Sequence, residues 1–156
     1  MNIGERFYCS RCLAELENEG TCKKCGYDPS SPEDPSALEE GTLLHNMRFQ
    51  IGAVFEKLRI GYIYGAYDYL AHKPVHIFEY FPEDCSGLTR ENISGTRIIT
   101  PEHCRKAFND GRNDLVRTLG RYCEMFEENN TVYISKFIQS VHETKRQPSE
   151  KLILSR

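Results

Sequence analysis

The sequence contains no tryptophan and no apolar run approaching the roughly 20 residues that a membrane-spanning helix requires. Its first residues, Met-Asn-Ile-Gly-Glu-Arg, are polar and do not form the apolar core of a signal peptide. The net charge is only −3 over 156 residues, which favours neither a polybasic membrane surface nor a nucleic-acid-binding protein. These absences predict a cytoplasmic protein.

Cysteine is the residue that the sequence has in unusual number. Seven are present, and four of them form two C-x-x-C pairs separated by nine residues: Cys9, Cys12, Cys22 and Cys25. The count is odd and the chain shows no export signal, which argues against a disulfide framework. We therefore expect reduced thiols throughout, some of them bound to a metal.

The two cysteine pairs predict a structural metal site. Two thiolates separated by two residues can bind one ion from a tight turn, and Gly26 eases the bend after the second pair. Two such pairs make a closed, tetrahedral four-cysteine site for Zn²⁺ in a small zinc ribbon, residues 1–28, whose folding depends on the metal. Four unligated cysteines remain the alternative. A redox dithiol would need a thioredoxin-like βαβ unit, which the sequence does not indicate.

The charge and proline content divide the rest of the chain. Residues 1–40 hold four Lys/Arg against nine Asp/Glu, residues 41–138 hold twelve of each, and residues 139–156 hold four against two. Residues 29–37 are rich in proline, serine and acid, which predicts a linker. We expect a domain over residues 38–139 and a polar tail over 140–156, in which Leu152–Leu154 is a possible docking patch.

The middle of the chain has the composition of a β-sheet. β-branched and aromatic residues predict three antiparallel strands over residues 48–55, 60–68 and 75–81, and a further strand over 132–138. Residues 97–99 predict a short extended piece. Apolar spacings of three, four and seven predict two helices, over 101–109 and 112–123, separated by a break near Gly111. The fold class is therefore α+β.

Two blocks in this region resemble a known family. Ile51-Gly-Ala-Val-Phe is followed by Gly61-Tyr-Ile-Tyr-Gly-Ala-Tyr-Asp68, and six residues later by Val75-His-Ile-Phe-Glu-Tyr-Phe-Pro82. They resemble the N-terminal lobe of bacterial serine/threonine protein kinases, one subgroup of which reads I-G-x-V-L-G-x-G-G-F-G-I-T-Y-x-A-Y-D and then V-A-I-K-E-Y-F-P. The leader Leu38-Glu-Glu-Gly-Thr-Leu-Leu is also similar, so the resemblance covers residues 38–138. It implies an antiparallel sheet with helix, and the two predicted helices resemble the helical insert and the C-helix of that lobe. The connection before the last strand is shorter than in the family, so we expect one strand to be reduced or lost.

The departures from the family pattern imply that the chain is not an enzyme. Glu56 and Leu58 stand at the first two glycine positions of the phosphate-binding turn, and only Gly61 is retained. Phe78 stands at the lysine position and His76 at the alanine that lies against adenine. The helix glutamate is replaced by Leu115 or Thr118, depending on the alignment, and no H-R-D-x-x-x-x-N or D-F-G occurs in these 156 residues. We expect no catalysis and no bound ATP.

The combined interpretation is a non-catalytic protein-interaction or regulatory module. We expect a protein partner or a second copy of the chain to cover the face of the sheet that carries His76 and Phe78, or else the chain's own tail. The alternative is a nucleic-acid-binding zinc ribbon with the sheet as a dimerisation platform, although the acidic ribbon makes phosphate binding less favourable. A regulatory role with residual nucleotide binding is a third hypothesis.

Overall fold

The structure, a computed structural model, describes residues 1–91 and 95–138. The predicted tail over 140–156, with its Leu152–Leu154 patch, lies outside this part of the chain. A three-stranded sheet carries the cysteine pairs, and a six-stranded antiparallel sheet with one helix makes up most of the remainder. The predicted α+β class is therefore confirmed. No helix in the described ranges is long and apolar enough to cross a membrane.

The small sheet has the order β1-β2-β3 and the large one β10-β11-β7-β6-β5-β4, while β8 and β9 form a separate hairpin. The strands of the small sheet are β1 (Asn2–Ile3), β2 (Arg6–Tyr8) and β3 (Glu15–Leu16). Those of the large sheet are β4 (Leu43–Leu44), β5 (Phe49–Leu58), β6 (Gly61–Asp68), β7 (Lys73–Tyr80), β10 (Cys123–Glu128) and β11 (Thr131–Phe137). The hairpin consists of β8 (Thr89–Arg90) and β9 (Ile98–Ile99), and the helix α1 spans Arg105–Leu119 after a 3₁₀ turn at Glu102–Cys104. The strands predicted over 48–55, 60–68, 75–81 and 132–138 correspond to β5, β6, β7 and β11.

The large sheet is strongly curled. Four inter-strand steps separate β5 from β10, which would place them about 19 Å apart in a flat sheet. The rings of Phe49 on β5 and Phe126 on β10 nevertheless lie 5.7 Å apart and nearly parallel. The sheet therefore has an inner face, inside the curl, and an outer face. Phe108 of α1 packs against the outer face at Tyr80, with ring centroids 5.2 Å apart.

A buried carboxylate lies on the inner face. Glu79 is fully buried, and Arg90 of β8 binds both of its oxygens, at 2.5 and 3.1 Å. The hydroxyls of Tyr64 and Tyr133 also donate to Glu79, at 2.9 and 2.6 Å. Burial and the neighbouring carboxylate raise the pKa of both tyrosines well above the usual range, so both hydroxyls remain donors. All four bonds are charge-assisted, which is the condition for tolerating a buried ion pair.

The same network fixes the segment predicted as a linker. Arg90 donates through Nε to the carbonyl of Ser36 at 2.8 Å and through Nη1 to that of Thr96 at 2.9 Å. The backbone N–H of Leu38 donates to the Tyr64 hydroxyl at 2.9 Å. The end of this segment is therefore held against the inner face together with the β8–β9 hairpin.

The prediction of two helices was wrong. A single helix runs through Gly111 without a break and ends at Leu119. Gly111 serves packing instead, because a Cβ at this position would lie 2.2 Å from the hydroxyl oxygen of Tyr80. Residue 123, which was predicted to end the second helix, begins β10.

The prediction that a strand is reduced or lost was also wrong. β10 forms a full hairpin with β11, closed by Asn129 and Asn130, both of which have positive φ angles (55° and 62°). A two-residue turn is the tightest connection between antiparallel strands. The chain between α1 and the last strand is therefore shorter than in the kinase family because its connections are short, and β10 is present in full. A register shift between Glu124 and Met125 interrupts the alternation that would have revealed β10 in the sequence.

The expectation that all thiols are reduced was wrong as well. Cys85 and Cys104 form a disulfide that joins the segment after β7 to the 3₁₀ turn before α1. The seven cysteines therefore divide into four in the cluster, two in this disulfide and the buried Cys123, which belongs to neither group.

Replacing Arg90 with methionine should destabilise the fold strongly, because Glu79 would remain buried without its counter-charge. We expect a loss of about 3–5 kcal/mol in the free energy of unfolding, measured by urea denaturation followed by circular dichroism. The control is Arg59→Met, which removes an exposed ion pair to Asp84 and should change stability by less than about 1 kcal/mol. Equal effects of the two substitutions would contradict the importance of the buried pair.

Candidate metal centre

Four cysteine sulfurs converge in the small sheet. The Sγ atoms of Cys9, Cys12, Cys22 and Cys25 all lie within 4.8 Å of one another. Cys9 is 3.6 Å from Cys25, and Cys12 is 3.7 Å from Cys22. A tetrahedral site with metal–sulfur bonds of about 2.3 Å has sulfur–sulfur edges of about 3.8 Å. The cluster could therefore hold one metal ion with all four positions filled by protein.

The two pairs adopt the same backbone turn. The N–H of Leu13 donates to the carbonyl of Cys9 at 2.9 Å, and the N–H of Gly26 donates to that of Cys22 at 2.8 Å. Leu13 and Gly26 both take a left-handed conformation, with φ of 68° and 77°. The bend predicted at Gly26 is thus present, and Leu13 makes the equivalent bend without the freedom of glycine.

The backbone around the cluster favours one thiolate over another. Amides of Cys25 and Lys24 directed at Cys22 lower the pKa of its thiol to about 7. Burial raises the pKa of Cys12 to about 12. A metal ion must therefore displace at least the Cys12 proton, which makes binding dependent on pH.

The first cysteine turn packs on the large sheet. Its Ser10 carbonyl accepts a hydrogen bond from the N–H of Ala53, at 2.9 Å, where the register of β5 shifts. A Cβ on Gly52 or Gly65 would lie 2.5 or 2.2 Å from that carbonyl oxygen, and a Cβ on Gly65 would also reach the Leu13 side chain at 3.0 Å. Two strand glycines thus make room for the turn, and the contact accounts for a leucine in the strained left-handed position.

The cysteine turn occupies the outer face of the sheet, beside the residues that the family resemblance associates with nucleotide. Gly65 pairs with His76, and Ile63 with Phe78, on the same face. The His76 ring packs against Phe55, with ring centroids 4.4 Å apart. The chain's own ribbon is therefore a cover for part of this face, which the sequence analysis did not consider.

The remaining glycine of the expected phosphate turn is used for packing. A Cβ on Gly61 would lie 1.9 Å from the Glu79 carbonyl and 2.9 Å from the fully buried ring of Phe78. Glu56 and Leu58 lie at the end of β5, where Leu58 pairs with Gly61 across a tight turn. Both are partly buried, and Leu58 packs against the core. The positions that the resemblance assigns to the phosphate-binding turn therefore lie in a β-hairpin.

Comparison with known proteins bears on the fold of the chain. One solved structure similar to the chain is that of PpkA-294 in its apo form, a bacterial serine/threonine kinase, with a TM-score of 0.54 and 25% identity. The fold is kinase-like. The match covers 65% of this chain and 39% of the PpkA-294 chain. No family model matches the sequence, and no relative was found among curated proteins.

The contact between ribbon and sheet was missed, although the sequence carries a signal for it. Gly52 and Gly65 interrupt two strands that are otherwise rich in β-branched and aromatic residues. A glycine within a strand often marks the close approach of another backbone. What the sequence does not reveal is which backbone approaches.

The purified protein should contain about one zinc ion per chain, because the four sulfurs define one tetrahedral site. Elemental analysis should show the metal lost in Cys22→Ser and retained in Cys123→Ala, which changes a buried cysteine outside the cluster. Native protein carrying less than about a tenth of an equivalent would contradict a structural zinc site.

Substituting Gly65 with alanine should loosen the ribbon, because the added methyl group would overlap the Ser10 carbonyl. We expect a destabilisation of about 1–3 kcal/mol, as for other overpacked sites, and faster removal of the metal by a chromogenic chelator. Ala66→Gly is the control, since it alters the next residue of β6 on the inner face. Metal release at the same rate in both variants would show that the ribbon does not depend on this contact.

Proposed function

We propose that the chain is a non-catalytic protein-interaction module, in which a zinc ribbon is docked on a degenerate kinase N-lobe. The observation that carries the proposal is the filling of the outer face. Phe55 and His76 are in contact at the position that the resemblance assigns to the purine, and the buried Phe78 stands at the position of the lysine. The ribbon packs beside them at Gly65.

Zinc is the metal that we assign to the cluster. Four thiolates at tetrahedral spacing with no open position suit structural Zn²⁺, and thiolate ligands exclude hard cations such as Mg²⁺ and Ca²⁺. With no free coordination position, the ion has a structural role and supplies no catalytic water.

A protein partner or a second copy of the chain is the binding partner that we propose. Glu79, which follows the lysine position, is engaged in the buried ion pair with Arg90, so this carboxylate serves structure. We place the protein in the cytoplasm, where reducing conditions keep the four cluster thiols available to a metal ion.

Nucleic-acid binding by the ribbon is the second candidate. Lys23 and Lys24 stand together in the second cysteine turn, which is the observation that favours it. Residues 1–40 nevertheless carry an acidic excess, and four thiolates with one Zn²⁺ add to it. A gel shift that weakens with salt and disappears in Lys23→Gln/Lys24→Gln would establish this function in place of the first.

Calorimetric titration with ATP and Mg²⁺ should detect no binding up to millimolar concentration, because aromatic rings fill the site and no lysine meets the phosphates. Adenosine is the matched ligand, since it carries the base without phosphates and reports on the ring site alone. A dissociation constant below about 100 μM for both ligands, roughly −5.5 kcal/mol, would show that the site binds nucleotide and would overturn the proposal.

A further inference from the structure

A cavity lies between the β8–β9 hairpin and the first turns of α1. Its volume is about 450 Å³, and its lining includes three arginines, Arg97, Arg105 and Arg112. Glu91 is the single acidic residue among the described lining residues. The whole chain carries a net charge of −3, so this cavity is a local concentration of positive charge.

The neighbouring acids are engaged elsewhere. On α1, Asp110 pairs with Lys106 at 2.6 Å, and Asp114 pairs with Arg117. Neither of these two acids is paired with one of the three cavity arginines. The acids of α1 therefore leave the cavity arginines to interact with a bound anion.

Arg112 is the arginine held most firmly in the cavity. It is half-buried, and its Nη1 donates to the carbonyl of Asn130 at 3.4 Å. Its Nε is buried and has no hydrogen-bond partner in the described part of the chain. A buried N–H group without an acceptor is unfavourable, and an anionic oxygen in the cavity would supply one.

The walls of the cavity are fixed before any ligand binds. The side-chain amide of Asn130 donates to the Ile98 carbonyl at 3.1 Å, and the N–H of Ile98 donates to the Asn129 carbonyl at 2.9 Å. These bonds tie the β8–β9 hairpin to the β10–β11 turn. Phe108 and Ile98 form a buried apolar floor, and Ile99 is half exposed at the lining. The cavity thus combines guanidinium groups with apolar surface in one preformed site.

We propose that this cavity binds a phosphoserine- or phosphothreonine-containing segment of a protein partner. This inference rests on the interaction role proposed above. A phosphate monoester carries a charge of about −1.5 to −2 and three acceptor oxygens, which suit several guanidinium groups at once. The apolar surface at Ile99 offers a contact for a side chain that flanks the phosphorylated residue. Single-stranded nucleic acid favours an exposed aromatic ring for stacking, whereas Phe108, the one ring among the described lining residues, is 2% exposed.

Fluorescence polarisation with a labelled, degenerate phosphoserine peptide and its unphosphorylated counterpart tests the proposal on the full chain. We expect the phosphorylated peptide to bind at least 10-fold more tightly, and Arg105→Gln and Arg112→Gln each to weaken it by 10-fold or more. Arg97→Gln should also weaken binding of the phosphorylated peptide. Because the Arg97 side chain is exposed, this substitution should not unfold the protein, so the weaker binding would reflect the lost charge. Arg117→Gln is the control, because it removes the same charge from the same helix at a position outside the cavity lining.

Four results would overturn the inference. The first two are equal binding of both peptides and binding that the cavity variants leave unchanged. The third is competition by inorganic phosphate as strong as that by the phosphopeptide, which would indicate a site for the free anion. The fourth is tighter binding of a single-stranded RNA oligonucleotide through the same arginines. The adenosine titration reports on the outer face of the sheet alone, so failure of this inference and failure of the proposed function are distinguishable.

Discussion

The fold depends on one buried ion pair. Glu79 lies in the curl of the sheet with four hydrogen bonds, two of them from Arg90. Through Arg90 the pair also holds the Ser36 carbonyl and the hairpin that forms one wall of the arginine cavity. A carboxylate buried this deeply is unfavourable unless all of its partners are present. The segment at Ser36, strand β7 and the β8–β9 hairpin are therefore held in one arrangement, although they are distant in sequence.

The filling of the outer face follows from a change of residue type at a few positions. In a kinase active site, polar groups and backbone amides must remain free to meet a nucleotide. Here Phe55 and His76 pack together on the outer face beside the buried Phe78, and a Cβ on Gly61 would meet the Glu79 carbonyl and the Phe78 ring. Under the proposed function, the kinase-like sheet serves as a scaffold and this surface carries no chemistry.

Features specified by local pattern were predictable, and those that depend on distant contacts were not. The aromatic and β-branched residues predicted β5, β6, β7 and β11, and the cysteine spacing predicted the four-sulfur cluster. Gly111 was interpreted as a helix break because its reason for being glycine, the Tyr80 hydroxyl, comes from another element. The Cys85–Cys104 disulfide and the docking of Ser10 on Gly65 likewise join segments whose proximity exists only in the folded chain.

The close contact of the first cysteine turn with Gly52 and Gly65 limits how this protein can be divided into separate domains. Residues 29–37 have the composition of a flexible joint, which invites cutting the chain there for expression or recombination. A chain that starts at residue 38 would leave two bare strand glycines and the unpaired Ala53 N–H on its surface, and the isolated ribbon would lose the support for Leu13. The two modules have complementary surfaces, so the ribbon cannot be exchanged for another unless its first turn matches this pair of glycines.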